Sequence, residues 1–132
     1  MSRMIFVNLP VRDLGIARGF YTGLGFSVND TFSDESAACI VISETIFVML
    51  LNQRRFSDFV TGSVHDDPSS TEVINCLSAD SRDEVDDLHS KALAHGGKPW
   101  LDPMDEGPMY GRSFTDPDGH VWEVLYMDMP QG

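Results

Sequence analysis

The chain has 132 residues, enough for one compact domain whose core needs no disulfide or structural metal. Its 21 acidic and 9 basic residues give a net charge of −12. Such a surface repels phosphate backbones and anionic membranes, so we expect no nucleic-acid partner and no membrane partner. No signal-peptide pattern and no apolar run of roughly 20 residues is found. The two cysteines, Cys39 and Cys76, lie in apolar runs and are predicted to be reduced and packed in a cytoplasmic protein.

The first half of the chain predicts a strand, a helix and three more strands. Residues 4–11 are an apolar run, and Asp13 suits the N-cap of the helix that follows. Apolar residues recur at helical spacing from Leu14 to Leu24, and Gly25 is the predicted stop. Three short strands are predicted at residues 26–32, 36–43 and 45–51.

The second half repeats this order. Residues 71–80 predict a strand, and residues 81–97 predict a helix that begins with a capping box and ends at two glycines. Three strands follow in "KPWLD", "MYGRSFTD" and "GHVWEVLYMD", separated by Pro, Gly and Asp turn signals. The helix face is predicted to carry Val85, Leu88, Ala92 and His95. Met104 and Met109 lie in a Gly- and Pro-rich loop, where they suit either a flexible lid or ordinary loop filling.

A connector joins the two halves. Residues 52–70 begin with a segment that suits a short helix and end in a polar linker. Each half therefore has the order βαβββ, and the repeat predicts an α+β fold. The predicted organisation is a single domain with module one at about 3–51, the connector at about 52–70 and module two at about 71–128.

Three motifs at the right spacing carry a family resemblance. They are "NLPVRDL" at 8–14, "FYTGLGF" at 20–26 and "DPDGHVWEVL" at 116–125. Together with the repeated element order, they resemble the vicinal oxygen chelate superfamily of glyoxalase I, bleomycin-resistance and extradiol dioxygenase proteins. The resemblance implies two βαβββ modules whose curved mixed sheets enclose a cavity, usually completed as a homodimer.

The resemblance also implies four metal-ligand positions, one on the first and one on the last strand of each module. In this sequence they fall on Phe6, Met49, Ile74 and Glu123. A divalent cation needs several oxygen or nitrogen donors, and three of these side chains supply none. The sequence therefore predicts that the standard metal site and its usual chemistry are absent, with no cofactor.

Other residues of metal-ligand type give no convincing alternative site. His120 and Glu123 stand three residues apart on a predicted strand, so their side chains point to opposite faces. The run from His65 to Asp67 lies in the polar linker. His89 and His95 are too far apart around their helix to share a ligand closely.

Strand alternation selects the candidate site residues. If Phe6 faces the cavity, Asn8 does so too, while Ile5, Val7 and Leu9 pack under the helices. By the same rule Ile74, Cys76 and Glu123 face the cavity. Glu123 is the only catalytic candidate, as a general base, and it is also suited to anchor a ligand. The ligand-binding candidates are Phe6, Asn8, Met49, Ile74, Cys76, Tyr110, Arg112 and Glu123.

Two of these candidates leave alternatives open. Tyr110 and Arg112 share a strand face with Phe114, but the sequence does not decide which face this is. If Arg112 points inward, it pairs with Glu123 or receives an anionic group. Cys76 is predicted to pack rather than to attack a substrate, because no histidine is placed to deprotonate it.

The predicted function is that of a glyoxalase/bleomycin-resistance-like protein that binds a small organic molecule in an apolar cavity without the standard metal. The alternative is a metal-independent lyase or isomerase that uses Glu123 as base, with Asn8 or Arg112 as electrophilic helper. A divergent metal-dependent glyoxalase or dioxygenase and a degenerate structural module are the further alternatives. The sequence leaves open whether the protein is an enzyme, and it predicts a small-molecule ligand and a homodimer.

Overall fold

The computed structural model describes residues 2–128, which form two compact units that divide between Asp67 and Pro68. Each unit contains one mixed sheet, with four strands in the first and five in the second. This confirms the predicted α+β class and the two-module plan. The interpretation of the chain as a single domain stays a prediction.

The first unit has the predicted order of one strand, one helix and three strands. Its sheet order is β1-β4-β3-β2, with β1 parallel to β4 and the other pairs antiparallel. The second predicted strand is shorter than expected, because the Asn29 side chain accepts from Thr31 N–H and starts a 3-10 turn. The elements are β1 (Ile5–Val11), α1 (Leu14–Gly23), β2 (Ser27–Asn29), the 3-10 turn (Asp30–Phe32), β3 (Ala37–Val41), β4 (Ile46–Asn52) and α2 (Gln53–Ser57).

Helix α1 covers one face of the first sheet. Asp13 caps it by accepting from Ile16 N–H, as the sequence predicts, and Gly25 ends it with a φ of 102°. Its buried residues face the fully buried side chains of Ile40, Val48 and Leu50. We call the other side of each sheet, away from its long helix, the open face.

The first strand departs from the prediction at its start. Leu9 packs on the helix side, but Ile5 is 55% exposed and Val7 is only half-buried. Ile5 was expected under the helices, and that expectation is wrong. The burial pattern of β1 shows why: only its last residues, from Leu9 onward, reach the core.

The second unit is built on the same plan with one interrupted strand. Its sheet order is β5-β9-β8-β6, with β5 parallel to β9, and β7 also pairs with β8. The strands β6 and β7 thus lie one after the other along the same edge of β8. The elements are β5 (Ile74–Ala79), α3 (Arg82–Ala94), β6 (Lys98–Pro99), β7 (Met104–Glu106), β8 (Met109–Thr115) and β9 (Val121–Met127).

Strand β7 corrects the prediction of a loop. Met104 pairs with Gly111, and Met109 pairs with Glu106, across a turn at Gly107 that has a φ of 65°. Both methionines therefore belong to a hairpin. The Gly- and Pro-rich composition of the segment concealed a strand of only three residues.

Helix α3 packs on the second sheet with a face that differs from the predicted one. Ser81 caps it by accepting from Glu84 N–H, which confirms the predicted start. The buried residues are Val85, His89 and Ala92, at the spacing i, i+4 and i+7. His95 was expected on this face, but it is exposed beyond the last turn.

Other predicted features of the fold hold. The side chains of Phe20, Tyr21 and Trp122 are buried, as expected for core residues. The short helix α2 begins the connector, and Asp66 in the linker pairs with Arg12 at 2.8 Å. Within residues 2–128, none of the helices has the length and apolar character needed to cross a membrane.

Candidate functional site

Three polar side chains form a row across the open face of the second sheet. The strand register places Cys76 opposite Glu123 and Glu123 opposite Ser113. Directly paired residues of neighbouring strands project to the same side, so these three side chains share a face. We call them the Glu123 row. Alternation places the apolar residues Ile74, Val121 and Leu125 on the same face.

Tyr110 and Arg112 lie on the opposite face of this sheet. The Tyr110 hydroxyl donates to Asp86 of α3, and Arg112 Nη1 lies 3.6 Å from the same carboxylate. The hydrogen bond to Asp86 raises the pKa of Tyr110. The register explains the placement, because Ser113 and not Arg112 pairs with Glu123. The sequence analysis listed Tyr110 and Arg112 with Glu123 as ligand-binding candidates. In the structure they lie on opposite faces of the sheet, so these two residues do not share a site with Glu123.

The Cys76 thiol is the protein partner of the Glu123 carboxylate. The residue as a whole is exposed, but its sulfur is partly desolvated and lies beside two acceptors, the Glu123 carboxylate on the paired strand and the Leu77 carbonyl oxygen at 4.0 Å. This desolvation, followed by the hydrogen bond and the carboxylate charge, raises the pKa of Cys76 to about 11. The thiol therefore stays neutral near pH 7 and is a poor nucleophile. The predicted packing is confirmed for Cys39, which is buried, and is wrong for Cys76.

Ser113 forms the rigid end of the Glu123 row. It is 3% exposed, and its Oγ accepts from Leu101 N–H at 3.0 Å. Its carbonyl accepts from the ring of His89 and from Trp100 N–H. The Oγ therefore ties the row to the backbone of the segment before β7. Sequence analysis missed Ser113, although alternation from Arg112 would have separated the two residues.

The corresponding row in the first sheet has no acid. The register places Asn8 opposite Met49 and Met49 opposite Cys39. Next to this row the Phe6 and Phe47 rings stack, with centroids 4.8 Å apart. Phe6 and Asn8 stand two residues apart on β1, as Ile74 and Cys76 do on β5. Because Asn8 pairs with Met49 and Cys76 pairs with Glu123, Met49 is the first-sheet equivalent of Glu123. Sequence analysis missed Phe47, which alternation places on the Met49 face.

The four positions implied for a metal do not fit a divalent cation. Phe6 and Met49 lie on the open face of the first sheet, and Ile74 and Glu123 lie on that of the second. Only Glu123 has an oxygen donor, and a thioether suits soft metals instead. In the part of the chain from 2 to 128, no three or more His, Cys, Asp or Glu residues cluster as a metal site would require.

A depression lies on the other side of the second sheet. It has a volume of about 320 Å³ and is located where α3 begins. None of the predicted site residues lines it. Its arginine, Arg82, already bonds to Asp105 at 3.0 Å and stacks over the Tyr110 ring. The lining residues are Ser81, Arg82, Asp83, Gly107, Pro108, Tyr126 and Asp128.

Known proteins match the chain in sequence at its start and in fold throughout. Residues 3–43 match the family model described as bleomycin resistance protein-like N-terminal. A hypothetical protein from S. aureus is 29% identical, with 96% of this chain and 94% of that chain covered and a TM-score of 0.79. Among curated proteins no match was found.

Two further solved structures share the fold at lower identity. A glyoxalase-related enzyme from Fulvimarina pelagi is 19% identical, with coverage of 100% and 94% and a TM-score of 0.82. A glyoxalase/bleomycin resistance protein/dioxygenase family enzyme from Burkholderia phytofirmans is 16% identical, with coverage of 96% and 99% and a TM-score of 0.77. The paired βαβββ units and these structures give the chain the fold of the glyoxalase/bleomycin resistance/dioxygenase proteins, and its first module matches the bleomycin resistance protein-like family model.

Proposed function

We propose that this protein binds a small organic molecule against the open face of its second sheet and does so without the standard metal of its superfamily. The observation that carries the proposal is the setting of Glu123. Its carboxylate stands on a partly exposed face among apolar side chains, and its one protein partner within residues 2–128 is the neutral thiol of Cys76. An acid in such a setting has acceptor capacity left for a ligand.

The chemistry of the four implied metal positions supports this proposal. Phe6, Met49 and Ile74 offer apolar contact surface in place of oxygen and nitrogen donors. On the open face of the second sheet, the half-exposed side chain of Ile74 gains free energy when a ligand covers it, at roughly 25 cal/mol per Å² of apolar area. The ligand is therefore expected to be largely apolar with at least one hydrogen-bond donor for Glu123.

A thermal-shift screen of the purified protein against small metabolites tests the proposal. A stabilising ligand is expected to lose affinity in Glu123→Gln, while Glu72→Gln, which removes the same charge from an exposed residue just before β5, is expected to behave like wild type. Metal analysis of the same preparation is the second arm. Stoichiometric zinc, nickel, manganese or iron would contradict the proposal and favour a divergent metal-dependent glyoxalase or dioxygenase.

A second candidate is a metal-independent lyase or isomerase in which Glu123 acts as general base. The specific observation in its favour is that the carboxylate is within reach of solvent and lies beside a group that holds a proton, the Cys76 thiol. Turnover of a bound ligand, abolished in Glu123→Gln with binding retained, would support the enzyme. Binding without turnover in either form would support sequestration.

The remaining parts of the proposal concern assembly and location. We expect a homodimer in the cytoplasm with no nucleic-acid partner, as the sequence predicts. Light scattering of the purified protein tests the oligomeric state. A monomer at working concentration would remove the dimer from the proposal and leave ligand binding untouched.

A further inference from the structure

The Glu123 row contains a carboxylate with which no described lysine or arginine of its unit forms an ion pair. Three of the four lysines and arginines in the described part of the second unit, Arg82, Lys91 and Arg112, pair with aspartates. The fourth, Lys98, lies on the edge strand β6 opposite Thr115 and forms no ion pair with Glu123. A carboxylate that has no ion-pair partner on a partly apolar face favours a ligand of opposite charge.

The Cys76 thiol fills only part of the acceptor capacity of this carboxylate. A carboxylate has about four lone-pair sites, and a thiol is a weak donor that fills one of them. Because the thiol is neutral, it orients the carboxylate without cancelling its charge. The pairing of Cys76 with Glu123 across β5 and β9 fixes this arrangement in the sheet.

The residues around Cys76 and Glu123 indicate what the rest of the ligand is like. Ile74 is 48% exposed on the same face and Leu125 is half-buried there, while Val121 is already buried. These side chains offer no hydrogen bonds, so they suit an apolar ligand body. The net charge of −12 over the whole chain adds attraction for cations and repulsion of anions.

We propose that Cys76 and Glu123 act as one recognition unit for a cationic nitrogen carried by an apolar organic molecule, such as a protonated amine, with Cys76 as the positioning residue. This inference rests on the proposed function, because it names the ligand class of the same face. The ligand N–H donates to the carboxylate oxygens that the thiol leaves free. The apolar body covers Ile74 and its neighbours.

A matched series of probes tests the charge preference. The probes are 2-phenylethylammonium, 2-phenylethanol and phenylacetate, which share a phenyl ring and differ in charge, and binding is measured by NMR titration. The cation is expected to bind about tenfold more tightly than the alcohol, because a charge-assisted hydrogen bond replaces a neutral one. Phenylacetate is expected to bind more weakly than either.

Four variants assign the preference to the two residues. Glu123→Gln is expected to bring the cation-to-alcohol affinity ratio to about one, since the amide keeps the shape without the charge. Glu72→Gln, the matched charge control, is expected to keep the wild-type ratio. Cys76→Ala is expected to lower the ratio several-fold, and Cys76→Ser, which keeps a donor, is expected to restore it. A purely structural defect would weaken both probes equally and leave the ratio unchanged.

Alkylation gives a test of the pair that needs no ligand. In Glu123→Gln the thiol loses its charged acceptor, so Cys76 is expected to react several-fold faster with iodoacetamide at pH 8, because the carboxylate no longer raises its pKa while desolvation still does. Buried Cys39 serves as the internal control in the same digest. Unchanged Cys76 reactivity would show that the pair is not coupled and would overturn the inference.

The outcomes separate this inference from the proposed function. Equal binding of the cation and the alcohol, or a cation affinity that Glu123→Gln does not change, overturns the cation preference and leaves small-molecule binding standing. Absence of binding by all three probes also overturns the inference. The metabolite screen then decides the proposed function independently.

Discussion

The two units of this chain share one topology and differ in the chemistry of their open faces. In the first, the row Asn8, Met49 and Cys39 lies beside the stacked rings of Phe6 and Phe47. In the second, the corresponding row is Cys76, Glu123 and Ser113. The register of the strands is the same, so the difference comes from single side chains. The shared topology therefore fixes the position of the side chain at the centre of each row, and the residue type at that position decides whether the row contains a charged group.

The helix sides differ in a second way. The first sheet buries only apolar side chains under α1. The second sheet buries His89 under α3, next to a polar layer in which Asp86 holds both Tyr110 and Arg112.

Removing the core tryptophan is expected to act on the second unit. Trp122 is 2% exposed on the α3 side, so Trp122→Ala should lower the free energy of unfolding by about 3–5 kcal/mol. Urea denaturation measures this change. The control is Trp100→Ala, at 36% exposure, where a loss of more than about 1 kcal/mol would contradict the burial argument.

Giving the first row the acid of the second tests their equivalence. Met49 is half-buried beside Cys39, which is 2% exposed, so Met49→Glu should cost about 1–3 kcal/mol of unfolding free energy at neutral pH. Desolvation disfavours the charged form, so the loss should shrink as the pH falls and the new carboxyl takes up its proton. Met49→Gln is the uncharged control. A loss that does not depend on pH would argue against a desolvated site.

His89 makes the second unit sensitive to acid. Burial, and next the nearby Arg112, lower its pKa, while Asp86 and the Ser113 carbonyl act the other way. The unfolded chain therefore binds the proton more readily, so stability should fall as the pH drops below about 6.5, by at most about 1.4 kcal/mol per pH unit. Urea denaturation between pH 7 and 5 measures the slope. His89→Gln is expected to reduce this slope, and an unchanged slope would remove His89 as its cause.

The caps of the two long helices are expected to be equivalent. Asp13 caps α1 and Ser81 caps α3, each by accepting from a backbone N–H at 3.0 Å. Asp13→Ala and Ser81→Ala should each cost about 1 kcal/mol, because each leaves one helix N–H without its acceptor. Thermal unfolding measures both. Ser57→Ala in the short helix α2, where the hydroxyl only donates to Arg54, is the milder control.

The helices and most of the strands were predictable from the sequence, because they depend on patterns among residues that are close together in the chain. The caps at Asp13 and Ser81, the stop at Gly25 and the apolar spacing of Phe20 and Tyr21 each involve neighbours in the chain. The three-residue strand β7 could not be predicted, because its Gly- and Pro-rich surroundings indicate a loop. It is a strand only because it pairs with β8.

Local sequence patterns are enough to predict the βαβββ repeat and the core aromatics, and the amino-acid sequence shows directly that three of the four implied metal positions are apolar. Only the tertiary structure decided that Arg112 faces α3, that Cys76 is exposed and bonded to Glu123, and that Ser113 completes the row. The physical reason is that alternation tells which residues of a strand share a face, while the helix that packs on the sheet and the register of neighbouring strands decide which face it is and which side chains meet there.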